Sequence, residues 1–208
     1  MSIDRPDVPD WLDVSRETQD KLFQFLALVA KWNPTVNLVS AGSMTDGWTR
    51  HIIDSAQLWN AAPLQSGLWL DVGSGGGFPG LVIAIIARER APNLKILLVE
   101  ADRRKCVFLS EAARQLNLVA EVTADRIEML EAKSASVISA RAVGSLDNLL
   151  QSAVRHLAPN GVALFPKGQN FEQELASARQ HWRFDCKAMP SLTDPKSAVL
   201  RIENIQHV

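Results

Sequence analysis

A glycine-rich stretch about a third of the way along the chain is the segment best suited to chemistry. It reads Asp71-Val72-Gly73-Ser74-Gly75-Gly76-Gly77-Phe78-Pro79-Gly80 and lies between a predicted strand and a predicted helix. Glycines turn the main chain sharply without a Cβ clash and let a ligand lie against it. The following helix start presents unpaired N–H groups and a positive dipole end. The stretch therefore predicts a loop that binds a nucleotide-like cofactor.

Two acidic residues narrow the choice of cofactor. A glycine loop alone fits both dinucleotides and S-adenosylmethionine, because both lay an adenosine across the carboxyl ends of parallel strands. Asp71 resembles the acid of the acidic-x-Gly-x-Gly-x-Gly signature of class I methyltransferases, whereas dehydrogenase loops usually have an apolar residue there. Glu100 ends the next predicted strand, where an acceptor can take both ribose hydroxyls. We expect S-adenosylmethionine to be bound by Asp71, Gly73, Gly75, Gly77 and Glu100.

The elements that must position this loop form two groups. Apolar residues recur at helical spacing over residues 15–32, and Pro34 is expected to close this helix. A second helix is predicted over residues 51–61, before Pro63. We therefore assign residues 1–63 to a helical extension packed on the main domain, and residues 64–208 to the main domain.

In the main domain, short β-prone runs alternate with helical stretches. Strands are predicted at 68–72, 95–99, 119–123, 136–139 and 162–165. Helices are predicted at 80–90, 103–116, 146–156 and 171–181. The alternation predicts an α/β fold with a doubly wound, mostly parallel sheet. Two adjacent strands at 183–188 and 198–205 are expected to form a final antiparallel hairpin.

Composition limits the classes of function. A formal net charge of -1 argues against coating nucleic acid through bulk electrostatics, so any RNA contact must use a local basic patch. No run approaches the roughly 20 apolar residues of a membrane helix, and the first residues contain no apolar signal region, so we expect a cytoplasmic protein that contacts no membrane. Cys106 and Cys186 are too few for a disulfide framework or a zinc site, and we expect no bound metal. Balanced charge favours a monomer.

Markers outside the loop resemble one family over nearly the whole chain, from Leu22 to Ile205. The family is that of the small-subunit rRNA guanine-N7 methyltransferases, also called glucose-inhibited division protein B. Its markers here are Trp32-Asn33 with Asn37-Leu38, Arg50-His51 with Asp54-Ser55, the 73–80 loop, Glu100 with Arg103-Arg104-Lys105 and Phe108-Leu109, Arg141-Ala142-Val143, and Lys167-Gly168.

The resemblance implies a class I methyltransferase fold with S-adenosylmethionine as the methyl donor. It implies a 16S rRNA substrate, guanine 527 in the 530 loop, within the small ribosomal subunit or an assembly intermediate. Its cofactor contacts fall on Gly73, Phe78, the Ile127-Glu128 pair and Arg141. Asp125 is a rival for the adenine contact.

Guanine N7 carries a lone pair and no proton, so it can attack a sulfonium methyl without a general base, and we expect no catalytic acid or base. Arg141 and Lys167 are candidates to bind guanine O6. Arg103 and Arg104, at the start of a surface helix, either contact RNA phosphate or are simply solvated. His51 either binds substrate or, as is more usual at a helix start, forms structural hydrogen bonds.

Three other functions stay open. One is methylation of a small molecule, with the helical extension as a lid. Another is a non-catalytic module that binds S-adenosylmethionine or RNA during ribosome assembly, since a base-free reaction leaves no catalytic residue to inspect. The third is a nicotinamide-dependent reductase, which Asp71 and the absence of tyrosine both disfavour.

Overall fold

Seven strands form one sheet in this computed structural model, which describes residues 6–208. The strands lie in the order β3-β2-β1-β4-β5-β7-β6. Strands β1 to β5 are parallel, β7 is antiparallel to β5, and β6 is antiparallel to β7. The predicted α/β sheet with a final antiparallel hairpin is confirmed. The strand bounds are β1 Ser66–Val72, β2 Asn93–Val99, β3 Ala120–Thr123, β4 Ala135–Ser139, β5 Leu157–Lys167, β6 Trp182–Pro190 and β7 Ala198–His207.

Helices precede the sheet and connect its strands. They are α1 Arg16–Val36, α2 Ala41–Met44, a π-helical turn Trp48–Ile53, α3 Asp54–Ala61, α4 Gly80–Arg90, α5 Arg103–Gln115, a 3₁₀ turn Ile127–Met129, α6 Leu146–His156 and α7 Phe171–Ala178. Among the helices of residues 6–208, none has the length and apolar character needed to cross a membrane.

The structure corrects two predicted helix ends. Helix α1 continues through Pro34 and ends at Val36, because the Asn37 N–H donates to the Asn33 carbonyl oxygen at 2.9 Å across the proline. Asn37 then adopts the left-handed conformation, at φ 55°, that commonly ends helices. Helix α7 ends at Ala178, since the main chain turns there into β6.

Alternating strand residues build two apolar layers, one on each face of the sheet. On β1, Trp69 packs with α4, α5 and the helical extension, whereas Leu70 packs with α6 and the final hairpin. This period of two is the geometry of a strand that is buried on both faces. Helices therefore cover both faces of the sheet, which is the doubly wound arrangement.

The extension and the main domain share the first of these layers. Leu22 and Phe25 of α1 lie in the same cluster as Leu81 and Ile85 of α4, all with no exposed surface. At the rim, the Glu89 carboxylate at the end of α4 accepts hydrogen bonds from Ser15, which precedes α1, and from Thr18. The boundary between residues 63 and 64 stays a prediction, and residues 1–5 of the predicted extension lie outside the described residues.

Gly80 begins α4 where there is no space for a side chain. A Cβ there would lie 2.3 Å from Leu98 Cδ2 and 2.6 Å from Asp71 Oδ2. Because overpacking a core displaces its neighbours, we expect Gly80→Ala to lower the free energy of unfolding by about 1–3 kcal/mol in denaturant titration. Gly42→Ala is the control, since a Cβ there meets nothing within 4 Å. Equal stability of Gly80→Ala and the wild type would contradict this packing.

Candidate functional site

One cavity of about 1390 Å³ opens at the carboxyl ends of the parallel strands, where the strand order reverses between β1 and β4. Such switch points are where open α/β sheets bind ligands. The cavity has two halves. The first, which we call the loop half, is lined by the loops that follow β1, β2, β3 and β4. The second, which we call the extension half, is lined by residues between Leu38 and Gln57, by the end of β5, and by the turn at 191–197 that joins β6 to β7.

The glycine loop forms the floor of the loop half. The N–H groups of Gly73 and Ser74 donate to the Val99 carbonyl oxygen at 2.8 and 3.1 Å, which fixes the loop beside the end of β2. Gly73 and Gly75 have φ of +65° and +55°, a conformation that side chains disfavour. Both line the cavity, whereas Gly77 lies behind it, with Phe25 and Leu81 close to where its Cβ would be.

Asp71 lies beneath this loop and not on the cavity wall. Its carboxylate has no exposed surface and accepts hydrogen bonds from the Ser139 hydroxyl at 2.7 Å and the Gly80 N–H at 3.1 Å. Trp69 Nε1 donates in turn to Ser139 Oγ at 2.9 Å. Burial raises the pKa of Asp71 to about 6, against the opposing effect of these hydrogen bonds. The geometry gives Asp71 a loop-holding role, while direct contact with a cofactor stays a prediction.

Glu100 lies half-buried on the wall of the loop half. One carboxylate oxygen accepts the Gly75 N–H at 2.8 Å, and the other accepts the Asp102 N–H at 2.8 Å. The carboxylate therefore links the glycine loop to the start of α5 and still faces the cavity.

The predicted adenine contacts line the same half. Ile127 is buried, whereas Glu128 and Asp125 are exposed. The end of α6 holds their turn, because His156 Nε2 donates to the Ile127 carbonyl oxygen at 3.2 Å and Arg155 donates to that of Leu130 at 2.7 Å. Sequence reasoning missed both supports, since only the fold brings α6 under this turn.

Arg141, which follows β4, lies where the two halves of the cavity meet. Its Nη1 donates to the Arg50 carbonyl oxygen at 2.8 Å and to Asp54 Oδ2 at 3.0 Å, and its Nη2 donates to His51 Nδ1 at 2.8 Å. The guanidinium carbon also lies 5.3 Å from the centroid of the Phe78 ring, within cation–π range. The extension thus holds the side chain that was predicted to bind cofactor or substrate.

His51 is a buried hydrogen-bonding residue of the π-helical turn. Its ring stacks on Phe78 with centroids 4.9 Å apart. Burial, together with the nearby charges of Arg141 and Arg50, lowers the pKa of His51 to about 4. Because Nδ1 accepts from Arg141, we assign the ring proton to Nε2, which donates to Ser43 Oγ at 2.9 Å. Both ring nitrogens therefore take part in hydrogen bonds within the protein, as expected if His51 has a structural role.

The other predicted substrate contacts are divided between two places. Lys167 lines the extension half, with its Nζ 2.7 Å from Glu174 Oε2. Arg103 and Arg104 do not line the main cavity. Arg104 pairs with Asp102 at 3.1 Å, and Arg103 lines a separate groove beside α1. Contact between any of these residues and RNA stays a prediction.

A junction around Asp54 joins the extension to the turn at 191–197. Asp54 Oδ1 accepts from Gln57 Nε2 at 2.8 Å and from Thr193 Oγ1 at 3.0 Å. Gln57 Oε1 accepts in turn from the Leu192 N–H at 2.9 Å. The family marker at Asp54-Ser55 was the only sequence signal for this cluster, and nothing in the sequence pairs it with Thr193.

The family model described as rRNA small subunit methyltransferase G matches residues 18–199. A ribosomal RNA small subunit methyltransferase G of Ruegeria sp. (strain TM1040) is 50% identical over 197 residues, which cover 95% of this chain and 96% of that protein. Its namesake in Cereibacter sphaeroides (strain ATCC 17025 / ATH 2.4.3) is 48% identical over 208 residues, which cover 100% of both chains.

Two solved structures show the same fold at low sequence identity. A SAM-dependent methyltransferase from Aquifex aeolicus has a TM-score of 0.59 at 12% identity, covering 85% of this chain and 96% of that chain. P. horikoshii TYW2, in complex with MeSAdo, has a TM-score of 0.54 at 13% identity, covering 72% of this chain and 60% of that chain. The fold is therefore the Rossmann-like class I methyltransferase fold that was predicted.

The neutral state of His51 predicts a pH dependence of stability. The pKa of His51 in the folded chain, about 4, lies below the ordinary histidine value of 6.5, so the unfolded chain binds more protons than the folded chain between pH 4 and pH 6.5. The stabilisation by neutral His51 is therefore complete above about pH 6.5 and is lost as the pH falls towards 4. The stability advantage of the wild type over His51→Asn should shrink by roughly 1 kcal/mol from near pH 7 to near pH 5, by denaturant titration. An advantage that stays constant would contradict this assignment.

Proposed function

Because the chain belongs to the rRNA small subunit methyltransferase G family, we propose that it transfers the methyl group of S-adenosylmethionine to N7 of guanine 527 in the 530 loop of 16S rRNA. The RNA is presented within the small ribosomal subunit or an assembly intermediate. The observation that carries this proposal is the cavity in which the glycine loop and Glu100 face a second half built by the extension. That second half offers room for an acceptor base beside the cofactor.

The residues of the loop half fit S-adenosylmethionine. Glu100 offers two carboxylate oxygens for the ribose, and Ile127 offers an apolar face for the adenine. Gly73 and Gly75 allow the methionine part to lie against the main chain. When bound, the cofactor supplies an electrophilic methyl group on a sulfonium.

The residues of the chain then act by orientation and not by proton transfer. His51 has both ring nitrogens in hydrogen bonds, and the Lys167 ammonium is paired with Glu174, so neither is free as a base. An N7 acceptor needs none, because it carries no proton. Holding acceptor and donor in line can contribute about 7–11 kcal/mol in well-oriented systems.

Methyl transfer to ribosomal particles tests this function directly. We expect the wild-type protein to move a labelled methyl group onto one 530-loop guanine of small-subunit particles that lack the modification, read by N7-sensitive strand cleavage. Gly73→Asp should abolish transfer, because its Cβ would lie 2.5 Å from Cγ2 of Val143, in the loop that follows β4. Its thermal unfolding is measured alongside to separate misfolding from loss of the site. Cofactor binding without transfer to particles or free rRNA would favour a small-molecule methyltransferase or a non-catalytic module.

The Glu100 carboxylate should determine much of the cofactor affinity. In Glu100→Gln, an amide donor replaces one of two oxygens that each accept a main-chain N–H. Since hydrogen bonds to charged groups contribute about 1.5–3 kcal/mol, the dissociation constant for S-adenosylmethionine should rise about tenfold or more by calorimetry. Glu111→Gln is the matched control, because Glu111 pairs with Arg114 on the surface of α5. Equal affinity of the two variants would refute the assignment.

A further inference from the structure

Asp54 connects three parts of the chain that are far apart in sequence. It begins α3, and its carboxylate meets Arg141 from the end of β4 and Thr193 from the turn at 191–197. Gln57 of the same helix completes the set, bonding Asp54 through Nε2 and the Leu192 N–H through Oε1. The side chains of Asp54 and Arg141 are only 19% and 16% exposed, so solvent screens this ion pair less than a surface pair.

A carboxylate is the group that this junction requires. Three donors converge on it: the Arg141 guanidinium, the Gln57 amide and the Thr193 hydroxyl. A carboxylate has two acceptor oxygens and no hydrogen, whereas an amide of the same size has one acceptor and a donor group. In Asp54→Asn, a donor must therefore face a donor on one side of the junction.

The contacts of Arg141 extend this junction to the cofactor loop. The guanidinium that Asp54 holds lies over the Phe78 ring, and His51 stacks on the same ring. Phe78 belongs to the glycine loop, whereas the turn at 191–197 lines the extension half of the cavity. The Asp54 carboxylate thus contacts one side chain that reaches the cofactor loop and another that belongs to the extension half.

We propose that Asp54 is a positioning residue, which holds the two halves of the cavity in register so that acceptor and methyl donor are aligned. The inference rests on the proposed function for the identity of the reaction, but the holding of the two halves is independent of it. Asp54 contacts neither reacting atom and acts through Arg141 and the turn at 191–197.

Glu89 provides a matched control. Its carboxylate also ties the extension to the main domain, by accepting from Ser15 and Thr18, but it lies at the end of α4 and not on the cavity wall. Glu89→Gln therefore loosens the extension without disturbing the junction. Thr193→Val is a second junction variant, which removes one donor and leaves the Asp54 charge in place.

Amide hydrogen exchange measures how firmly the junction is held, and it needs no substrate. We expect Asp54→Asn to speed exchange at the Leu192 N–H at least about tenfold, because the Gln57 amide loses the partner that orients it. Thr193→Val should give a smaller effect in the same direction, and Glu89→Gln should give none. Unchanged exchange in Asp54→Asn would overturn the inference.

Steady-state methyl transfer to particles separates positioning from binding. Asp54→Asn should lower kcat more than about tenfold while the dissociation constant for S-adenosylmethionine stays within about threefold, because small misplacements cost rate and not cofactor affinity. Glu89→Gln should keep kcat within about twofold. An equal loss of kcat in both variants, or none in Asp54→Asn, would overturn the inference. If the wild type transfers no methyl group, the proposed function fails instead, and the exchange rates still decide whether Asp54 holds the cavity together.

Discussion

The carboxylate of Asp71 is buried where β1 ends, and its two oxygens accept hydrogen bonds from Ser139 and from the first N–H group of α4. A buried carboxylate is tolerated only where such donors replace water. The end of β1, the start of α4 and the end of β4 are therefore held at one point. The glycine loop runs between two of these elements, so its path depends on this contact. The cavity lies directly above it.

The helical extension completes the site. Its π-helical turn carries His51, which stacks on Phe78 of the glycine loop, and the same turn presents a carbonyl oxygen and Nδ1 to Arg141. The extension also shares the apolar layer of α4 and α5. The loop half can be built from the main domain alone, but the extension half cannot.

Most of the fold could be predicted from local patterns in the sequence. Every predicted strand and helix of the main domain exists, because periodicity and turn residues act over short distances. The largest difference in bounds is at β5, which begins at Leu157 and not at residue 162. The prediction that α1 ends at Pro34 was wrong for a physical reason. A proline removes only one N–H group, so the last turn of α1 continues with the remaining hydrogen bonds. The helix ends where Asn37 adopts the left-handed conformation. The split of the second helix into a π-helical turn and α3 has no signal in the sequence, since both have a helical backbone.

By itself the sequence determined the glycine loop, the acid at the end of β2 and the alternation of strands and helices, because each depends on residue type and on near neighbours. It also carried the family markers. Only the tertiary structure decided that Asp71 lies beneath the loop and that Arg141 is held by the extension. It alone brought Asp54 to Thr193, whose positions differ by 139 in the chain. Such contacts depend on how separate elements pack, and residue type alone does not specify which donor reaches which acceptor.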